Sequence, residues 1–485
     1  MIGAIAPIME STMTLPREYV KYLDEFFIGQ HELKRALAAA AFIHGNHKRE
    51  YTPNVLICGP SGSGKTAITQ EMARWMDEPY MYVPITTYTQ SGYVGDKVES
   101  ILDELTDKAI ELLKQWLKAE LVSLKRLCKG DLTKRLAPHI SVLIGTFNEA
   151  VQEITSIVTN PRFAHLKDLK ISNTVALGTY AKRDLEDADW IAIAKKHKVS
   201  TDYVVICACI SRALTYCRLL RSSLTDIIST MASDGIVLID EIDKIAQSKS
   251  DDDNVGKVGV QRDLLTLLNG NIVTKEYSAK SLAFVDDFIE EVEALTSTVK
   301  PNSKGVSKYR KPVKGVIGDI DNDFFGLMHG GSKPKKSGIK MTIDTGKIWF
   351  IGAGAFILDD LSGLIDELRG RFSIITRTKA LTKEEIKELV EYKTISDINE
   401  LTEFAGIKIS FEEGAVDTFV DAVFELNEHE PLGARRLPGF INQILANEAM
   451  DLEQDKEFII TSDMVVRAAE DVRNANRYKM KLGFK

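Results

Sequence analysis

Three short apolar runs mark the chain, centred on positions 54–58, 235–239 and 347–351. Each run ends abruptly in glycine or acidic residues. Because their apolar residues are continuous and do not alternate with polar ones, the runs predict parallel strands that are covered on both faces. Ahead of the first run, apolar residues recur at helical steps of three and four, from Leu33 to Ala41. The pattern therefore predicts an α/β fold built on a doubly wound parallel sheet.

Two stretches interrupt this α/β pattern. Residues 106–233 keep mostly helical spacing, which predicts an inserted helical domain. Residues 277–340 are polar and glycine-rich, which predicts a long loop. Helical spacing returns beyond Ala380, where Thr382 and Glu385 have the spacing of a capping box ahead of a helix.

The predicted domain organisation follows from these changes in pattern. The chain of 485 residues is too long for a single hydrophobic core. A large α/β domain is predicted from residues 15–105 and 234–378. The remaining parts are an N-terminal tail at 1–14, the inserted helical domain at 106–233, the loop at 277–340 within the large domain, and a small C-terminal α-helical or α+β domain at 379–485.

Composition and charge argue against several classes of protein. Lysine and arginine number 62 against 70 aspartate and glutamate residues, so the net charge of −8 disfavours a protein that coats nucleic acid or anionic membranes. No apolar run approaches the ~18 residues that cross a bilayer, and residues 1–14 lack the pattern of a secretory signal. The five cysteines include no Cys-x-x-Cys pair, so we expect neither disulfides nor zinc. These features predict a cytoplasmic protein without a membrane partner.

A glycine loop follows the first predicted strand and precedes a helix; its sequence is Gly59-Pro60-Ser61-Gly62-Ser63-Gly64-Lys65-Thr66. In this context the pattern is that of the phosphate-binding loop of nucleotide-binding proteins. Its backbone N–H groups turn toward phosphate oxygens, Lys65 reaches the outer phosphates, and the Thr66 hydroxyl can ligate Mg²⁺. The residues predicted to bind ATP and its Mg²⁺ ion here are Gly62, Ser63, Gly64, Lys65, Thr66 and Ala67.

Hydrolysis needs two further groups, and an acidic pair can supply them. Asp240 and Glu241 follow the second predicted strand, at the sheet edge where ligands of α/β proteins collect. Asp240 is predicted to hold the metal through water, and Glu241 to polarise the attacking water as a general base. The alternative is an ordinary solvated turn, which the presence of Lys65 elsewhere in the chain makes the weaker interpretation. Lys65 and Glu241 therefore predict a catalytic ATP site.

Several sequence blocks resemble the Clp/HslU branch of the AAA+ ATPases. They occur in the family's order between Leu15 and Leu437. The blocks are the phosphate loop and residues 15–18, 27–30, 91–95, 235–244, 259–265, 367–371 and 433–437. The opening block, the block at Gly259, the Ala-Arg-Arg segment and the large insertion before the acidic pair favour an HslU-like over a ClpX-like member.

The resemblance implies a homohexameric ring that couples ATP hydrolysis at its subunit interfaces to the unfolding and threading of proteins. By this resemblance, Arg371 is the arginine finger that reaches the neighbouring subunit's nucleotide, and it joins the catalytic residues named above. Glu367 lies on the same interface element. Arg435 corresponds to the sensor arginine that brings the small domain onto the nucleotide, and Ile28 lines the adenine pocket.

The segment Gly92-Tyr93-Val94-Gly95 matches the axial pore loop of the family. An aromatic and an aliphatic side chain between two glycines can grip any polypeptide by apolar contact and swing with the nucleotide state. A ring that threads nucleic acid would place lysine or arginine at this tip, where phosphates pass. A nucleic-acid motor or loader that uses the basic residues 300–340 is therefore the less favoured alternative.

Three departures from the family pattern limit what the resemblance implies. The third predicted strand ends in residues 352–354, Gly-Ala-Gly, without the polar side chain that positions water in many AAA+ proteins. Between Phe356 and Leu364 there is no room for the Ile-Gly-Phe loop with which ClpX docks on its peptidase. Residues 481–485 do not match the tail that HslU inserts into HslV. A peptidase partner of the HslV or ClpP type is left open, and a non-proteolytic remodeller of a specific complex is the leading alternative.

Overall fold

The computed structural model describes most of the chain outside two long stretches, 129–216 and 298–338. The described residues are 15–45, 52–88, 98–128, 217, 220, 221, 223–246, 254–297, 339–356, 360–403, 406–430, 432–448, 450, 454 and 456–481. The predictions that fall outside them are the tail at 1–14, the pore loop of Gly92, Tyr93, Val94 and Gly95, and most of the helical insertion and of the basic residues 300–340.

Strands and helices alternate along the described residues. The strands are β1 (Val55–Cys58), β2 (Tyr80–Pro84), β3 (Ile236–Asp240), β4 (Ile272–Tyr277), β5 (Ile339–Asp344), β6 (Trp349–Gly354), β7 (Ile374–Arg377), β8 (Lys408–Phe411) and β9 (Glu457–Ile460). The helices are α1 (Pro16–Phe26), α2 (His31–His44), α3 (Lys65–Met76), α4 (Ser100–Cys128), α5 (Asn254–Leu268), α6 (Ala283–Ser297), α7 (Asp366–Arg369), α8 (Lys383–Leu389), α9 (Ile395–Thr402), α10 (Ala415–His429), α11 (Arg436–Asn447) and α12 (Ser462–Lys481). A further helical stretch at 223–233 precedes β3.

A five-stranded parallel sheet forms the centre of the large domain. Its strand order is β2-β3-β6-β1-β7, so β6 separates the strand before the phosphate loop from the strand that carries the acidic pair. On β1, Val55 and Ile57 pack into the apolar cluster of α1–α3, whereas Leu56 and Cys58 pack into the cluster of α4–α6 on the other face. Burial on both faces explains the continuous apolar runs, and it confirms the predicted α/β fold with a doubly wound parallel sheet.

The third strand differs from its predicted position at 347–351. β6 begins at Trp349 and continues through the glycines to Gly354. A Cβ at Gly352 would lie 3.0 Å from Leu56 and 3.1 Å from Phe372, so glycine lets this strand pack closely against its neighbours. Glycine is uncommon inside strands, which is why the sequence pattern placed the strand end too early.

Helix α4 crosses the predicted boundary between the large domain and the helical insertion. It runs from Ser100 to Cys128, whereas the predicted boundary lies at 105/106. Leu105 and Leu113 of α4 share one apolar cluster with the strand residue Val237. The first part of the predicted insertion therefore belongs to the core of the large domain. None of the helices in the described part of the chain, α4 included, is both long and apolar enough to span a lipid bilayer.

The predicted loop at 277–340 begins with a helix. α6 covers Ala283–Ser297, shortly after the end of β4. Its buried apolar residues follow the spacing of an amphipathic helix and are Val285, Phe288, Ile289 and Val292. Acidic residues between them obscured this period in the sequence. The prediction of a loop is therefore wrong for this helix.

The C-terminal helices and strands have an apolar core of their own. Phe419, Phe440 and Ile460 lie in it, apart from the two clusters that flank the central sheet. β8 and β9 pair in parallel as a two-stranded sheet. The predicted capping box is present at the start of α8, where Glu385 N donates to Thr382 Oγ1 at 3.2 Å and Thr382 N donates to Glu385 Oε2 at 2.9 Å. A separate core of this kind is what a distinct small domain requires.

Candidate active site

The phosphate loop connects β1 to α3 and depends on glycines with left-handed backbone angles. Gly62 has a φ of +72° and Gly64 a φ of +90°, which residues with a Cβ rarely adopt. α3 begins at Lys65, and the first N–H groups of a helix lack partners within the helix. A helix N-terminus next to a turned glycine backbone favours an anion such as phosphate.

Lys65 is buried in the loop that it is predicted to complete. Its exposed fraction is 8%, and Nζ donates to the carbonyl oxygens of Gly59 and Pro60 at 2.8 and 2.7 Å. Burial lowers the pKa of Lys65, and the nearby Asp240 carboxylate opposes that shift. A phosphate in the loop would also favour the charged ammonium, so phosphate binding and protonation of Lys65 support each other.

Thr66 and Asp240 meet although they are distant in sequence. Thr66 Oγ1 donates to Asp240 Oδ2 at 3.1 Å, and the Tyr82 hydroxyl donates to the same carboxylate oxygen at 3.3 Å. Hydroxyl and carboxylate oxygens are ligands that suit Mg²⁺, which usually keeps several waters and phosphate oxygens in its shell. These side chains therefore fit a Mg²⁺ ion that also contacts a bound phosphate.

Glu241 follows β3 directly and lies beside this pair. Its φ of +58° is in the left-handed region, which residues other than glycine seldom occupy. The backbone N–H of Glu241 donates to Asp240 Oδ1 at 2.8 Å, and Glu241 Oε2 accepts from Thr86 Oγ1 at 3.0 Å. Unusual backbone conformations that are fixed by such bonds are common at active sites. The carboxylate of Glu241 is thereby oriented next to the candidate metal ligands.

Two residues of this site escape sequence reasoning. Thr86 lies two residues beyond β2, which pairs with β3, so only the strand order brings it to Glu241. Asp243 Oδ1 accepts from Ala355 N at 3.0 Å, directly beyond the end of β6. A Cβ at Gly354 would lie 3.0 Å from Asp243, so the glycine leaves room for this carboxylate. Asp243 therefore occupies the position where β6 lacks a polar side chain.

Residues 432–435 of the C-terminal domain contact the phosphate loop. Ala434 N donates to Gly62 O at 3.2 Å, and Arg435 Nη1 donates to Ser61 Oγ at 3.4 Å. The charge of Arg435 also lowers the pKa of Lys65, although burial is the larger cause. The two cations thus lie near each other at the loop, and a bound phosphate chain would relieve their repulsion.

Gly433 permits this close contact. Its φ is +58°, and a Cβ on it would lie 2.6 Å from the carbonyl oxygen of Gly62. In the Gly433→Ala variant we expect the turn to move off the loop and displace Arg435. ATP turnover should then fall by about tenfold or more, because a misplacement of about 1 Å can cost about 100-fold in rate. Steady-state turnover at saturating ATP measures this effect.

Gly414 provides the matched control for that variant. It also has a left-handed φ, +80°, but a Cβ on it would meet nothing within 4 Å. Gly414→Ala therefore introduces similar backbone strain without a collision, and it should retain turnover near that of the wild type. Equal losses in the two variants would show that the contact with Gly62 is irrelevant.

Ile28 lies half-buried in the turn between α1 and α2, at the junction with the C-terminal domain. The side chain of Gln30 bonds both backbone groups of Lys379: Nε2 donates to the carbonyl oxygen at 2.8 Å, and Lys379 N donates to Oε1 at 3.1 Å. Gly29 packs against the carboxylate of Glu385 on α8. The turn that carries Ile28 is therefore attached to the connection between the two domains, a role of Gln30 that the sequence did not reveal.

Arg371 lies near the N-terminal ends of β1 and β7, whereas the phosphate loop follows the C-terminal end of β1. Glu367 lies on α7, just before Arg371, and both side chains are exposed. Arg371 precedes β7, and its carbonyl oxygen accepts from Asn54 Nδ2 at 3.2 Å. Asn54 precedes β1 and Gly59 follows it, so about 16 Å of extended strand separates the two levels. The structure therefore does not bring Arg371 together with the phosphate loop of the same chain.

The predicted charged residues and Thr66 thus form two groups in the structure. One group lies at the C-terminal ends of the parallel strands and consists of Lys65, Thr66, Asp240, Glu241 and Arg435. The other consists of Glu367 and Arg371 and lies apart from the phosphate loop. Two further predicted residues contribute little through their side chains. Ser63 Oγ is already bonded, to Pro60 O at 2.8 Å and to Thr378 Oγ1 at 2.7 Å, and the side chain of Ala67 has no polar atom.

Comparisons with known proteins agree with this geometry. The family described as AAA domain (dynein-related subfamily) matches residues 54–153, and the family described as AAA domain (Cdc48 subfamily) matches residues 194–286. Together with the parallel sheet and its phosphate loop, these matches make the chain a nucleotide-binding ATPase of the AAA+ class.

Three relatives show which AAA+ ATPases the chain is most usefully compared with. The protein named "ATP-dependent protease ATPase subunit HslU" from Caldanaerobacter subterraneus subsp. tengcongensis is 27% identical over 514 aligned residues, which cover 96% of this chain and 97% of the relative. Proteins of the same name from Helicobacter pylori and Lactobacillus gasseri are 27% and 26% identical, over 94% of this chain and 96% of each relative. The chain is therefore similar to HslU ATPases over nearly its whole length, which confirms the predicted resemblance to the Clp/HslU branch of the AAA+ ATPases.

Proposed function

We propose that this ATPase works as a homohexameric ring that hydrolyses ATP between protomers and uses the energy to unfold and thread polypeptides. The observation that carries the proposal is the position of Arg371, at the end of the strands opposite to Lys65. An arginine finger that cannot reach its own phosphate loop must act on the nucleotide of another copy. A closed ring gives every copy one such contact, and the resemblance to the Clp/HslU branch implies six copies.

In this ring the residues of one site come from two copies. Lys65 contacts the outer phosphates, and Thr66 and Asp240 would hold Mg²⁺ with its waters. A Mg²⁺ ion held there would neutralise charge on the phosphate oxygens. Glu241 accepts a proton from the attacking water. Arg371 of the neighbouring copy, aided by Glu367 on the same element, stabilises charge on the transferred phosphoryl group.

The element that moves polypeptide in this proposal is the loop of Gly92, Tyr93, Val94 and Gly95. Its support is the sequence match together with the HslU-like character of nearly the whole chain. The Tyr93→Ala variant is expected to hydrolyse ATP but to unfold a folded fluorescent protein no faster than the background rate, because the tip loses its aromatic contact. Fluorescence loss and ATP turnover are measured in the same reaction.

Tyr392 supplies the control for Tyr93. It is 83% exposed on the C-terminal domain, so Tyr392→Ala removes an equally large aromatic group from a surface position. That variant should unfold the substrate as the wild type does. Wild-type unfolding by the Tyr93→Ala variant would refute the pore role.

A peptidase is not part of this proposal. The relatives are named as ATPase subunits of an ATP-dependent protease, which favours an HslV-like or ClpP-like partner for this chain. The sequence between Phe356 and Leu364 has no room for a docking loop of the ClpX type, which favours a remodeller that releases its substrates intact. Co-purification of a peptidase ring with the chain separates these two functions.

A further inference from the structure

Gln261 on α5 is a buried amide that joins two separate segments of the large domain. Its side chain is fully buried, with an exposed fraction of 0%. Nε2 donates to the carbonyl oxygen of Ile245 at 2.7 Å and to that of Gly363 at 3.2 Å, while Oε1 accepts from Ile365 N at 2.7 Å. Only an amide side chain combines two N–H donors with a carbonyl acceptor in this way, so glutamine suits the position better than glutamate or methionine.

One of these segments begins at the catalytic glutamate. Glu241 is followed by a 3₁₀ turn, Ile242–Ile245, in which Lys244 N donates to Glu241 O at 2.8 Å. The carbonyl group of Ile245 therefore ends a single hydrogen-bonded turn that starts at Glu241. The amide of Gln261 is therefore bonded to the end of that turn.

The other segment ends at the arginine finger. Ile365 precedes α7, and Arg371 N donates to Leu368 O at 3.1 Å. Leu368 is fully buried, so α7 is anchored in the core beneath Arg371. The hydrogen bond from Ile365 N to Gln261 thus fixes the start of a short, bonded segment whose end carries the guanidinium.

We infer that Gln261 is a positioning residue for Arg371. It couples two elements of one protomer: the turn after Glu241, and the arginine finger that completes the neighbouring protomer's site. This inference rests on the proposed function, because it requires that Arg371 act in the site of another copy. Through Gln261, the state of one nucleotide site is passed to the next site around the ring.

Mixed rings test this coupling. Arg371→Ala protomers retain their own Glu241, and Glu241→Gln protomers retain Arg371, so neither parent is active alone. Where the two alternate, the site of an Arg371→Ala protomer is completed by the finger of a Glu241→Gln neighbour, and ATP turnover returns. Gln261→Met is then added to one parent at a time.

The two placements are expected to differ. In the Glu241→Gln parent, which donates the finger, Gln261→Met should lower kcat of the mixed ring by about tenfold or more with little change in KM, because the guanidinium is misplaced. In the Arg371→Ala parent, which has no finger to position, the same change acts only on the turn after Glu241 and should lower kcat less. Gln261→Asn, which is too short to span the two segments, should show the same asymmetry.

Three outcomes decide the inference. Equal losses from the two placements would show a merely structural role and overturn it, as would wild-type kcat when the finger donor carries the change. If mixtures of the two parents never regained ATP turnover, the proposal that two copies share one site would be wrong, and the inference would fall with it. Gln443→Met in the finger donor is the control, because the Gln443 side chain bonds its own helix neighbour, Asn447 on α11, at 2.9 Å.

Discussion

The Arg371→Ala variant is expected to hydrolyse ATP about 1,000-fold or more slowly than the wild type, because arginine fingers supply about 10³–10⁵ in kcat. Arg371 lies at the end of the strands opposite to the phosphate loop, so its removal leaves the contacts of Lys65, Thr66 and Asp240 within each chain unchanged. ATP affinity should therefore change much less than kcat. Steady-state turnover and equilibrium binding of a fluorescent ATP analogue measure the two quantities separately.

Arg369 provides the control two positions away. It forms an exposed ion pair with Asp366 at 2.8 Å, and pairs of this kind contribute little. Arg369→Ala should therefore retain turnover. Loss of turnover in both variants would point to damage of α7 rather than to an arginine finger.

Because a complete site needs two copies, the turnover per wild-type protomer should also rise with protein concentration until rings have formed.

The Glu241→Gln variant is expected to bind ATP and assemble but to hydrolyse it about 100- to 10,000-fold more slowly, which is the usual contribution of a general base. A glutamine at this position can still accept the hydrogen bond from Thr86, so the local geometry is retained. It cannot take a proton from water. Single-turnover hydrolysis of prebound ATP isolates this step from product release.

Glu276 on β4 serves as the control because it is an exposed glutamate outside the site. Glu276→Gln should hydrolyse ATP at the wild-type rate. If Glu241→Gln also retained turnover, the water would have to be oriented by another group. Asp243, whose carboxylate lies at the end of β6, would then be the residue to test next.

The phosphate-binding half of the site could be predicted because local sequence determines its geometry. The residues from Gly59 to Thr66 form one strand-loop-helix unit, and Asp240 and Glu241 come directly at the end of a buried strand. In each case the residue types and their order define the position of the side chains. No knowledge of contacts between distant segments is needed.

Thr86, Gln30 and Gln261 could not be predicted because each acts through a contact between distant segments. Thr86 reaches Glu241 across 155 positions, and Gln30 reaches Lys379 across 349 positions. These contacts follow from the strand order and from the packing of the two domains, which the apolar runs do not specify. The one local signal was at Gln261, a polar residue on the same buried helix face as Leu264 and Leu268.

Two helices show where hydrophobic patterns mislead. The period of α6 was obscured by the acidic residues between its buried positions, so the segment was predicted as a loop. α4 continues the helical spacing of the insertion back into the large domain, so its pattern contains no boundary at 105/106. In both cases the packing partner, rather than the sequence period, decides which domain the helix belongs to.

The ATP turnover of the wild-type protein, measured with an unfolded polypeptide, with single-stranded DNA and with neither, tests the central claim most directly. If hydrolysis between copies drives a tyrosine-tipped loop along a polypeptide, turnover rises with the polypeptide and does not respond to DNA. Turnover that rises with DNA instead, or that responds to neither polymer, would contradict the account.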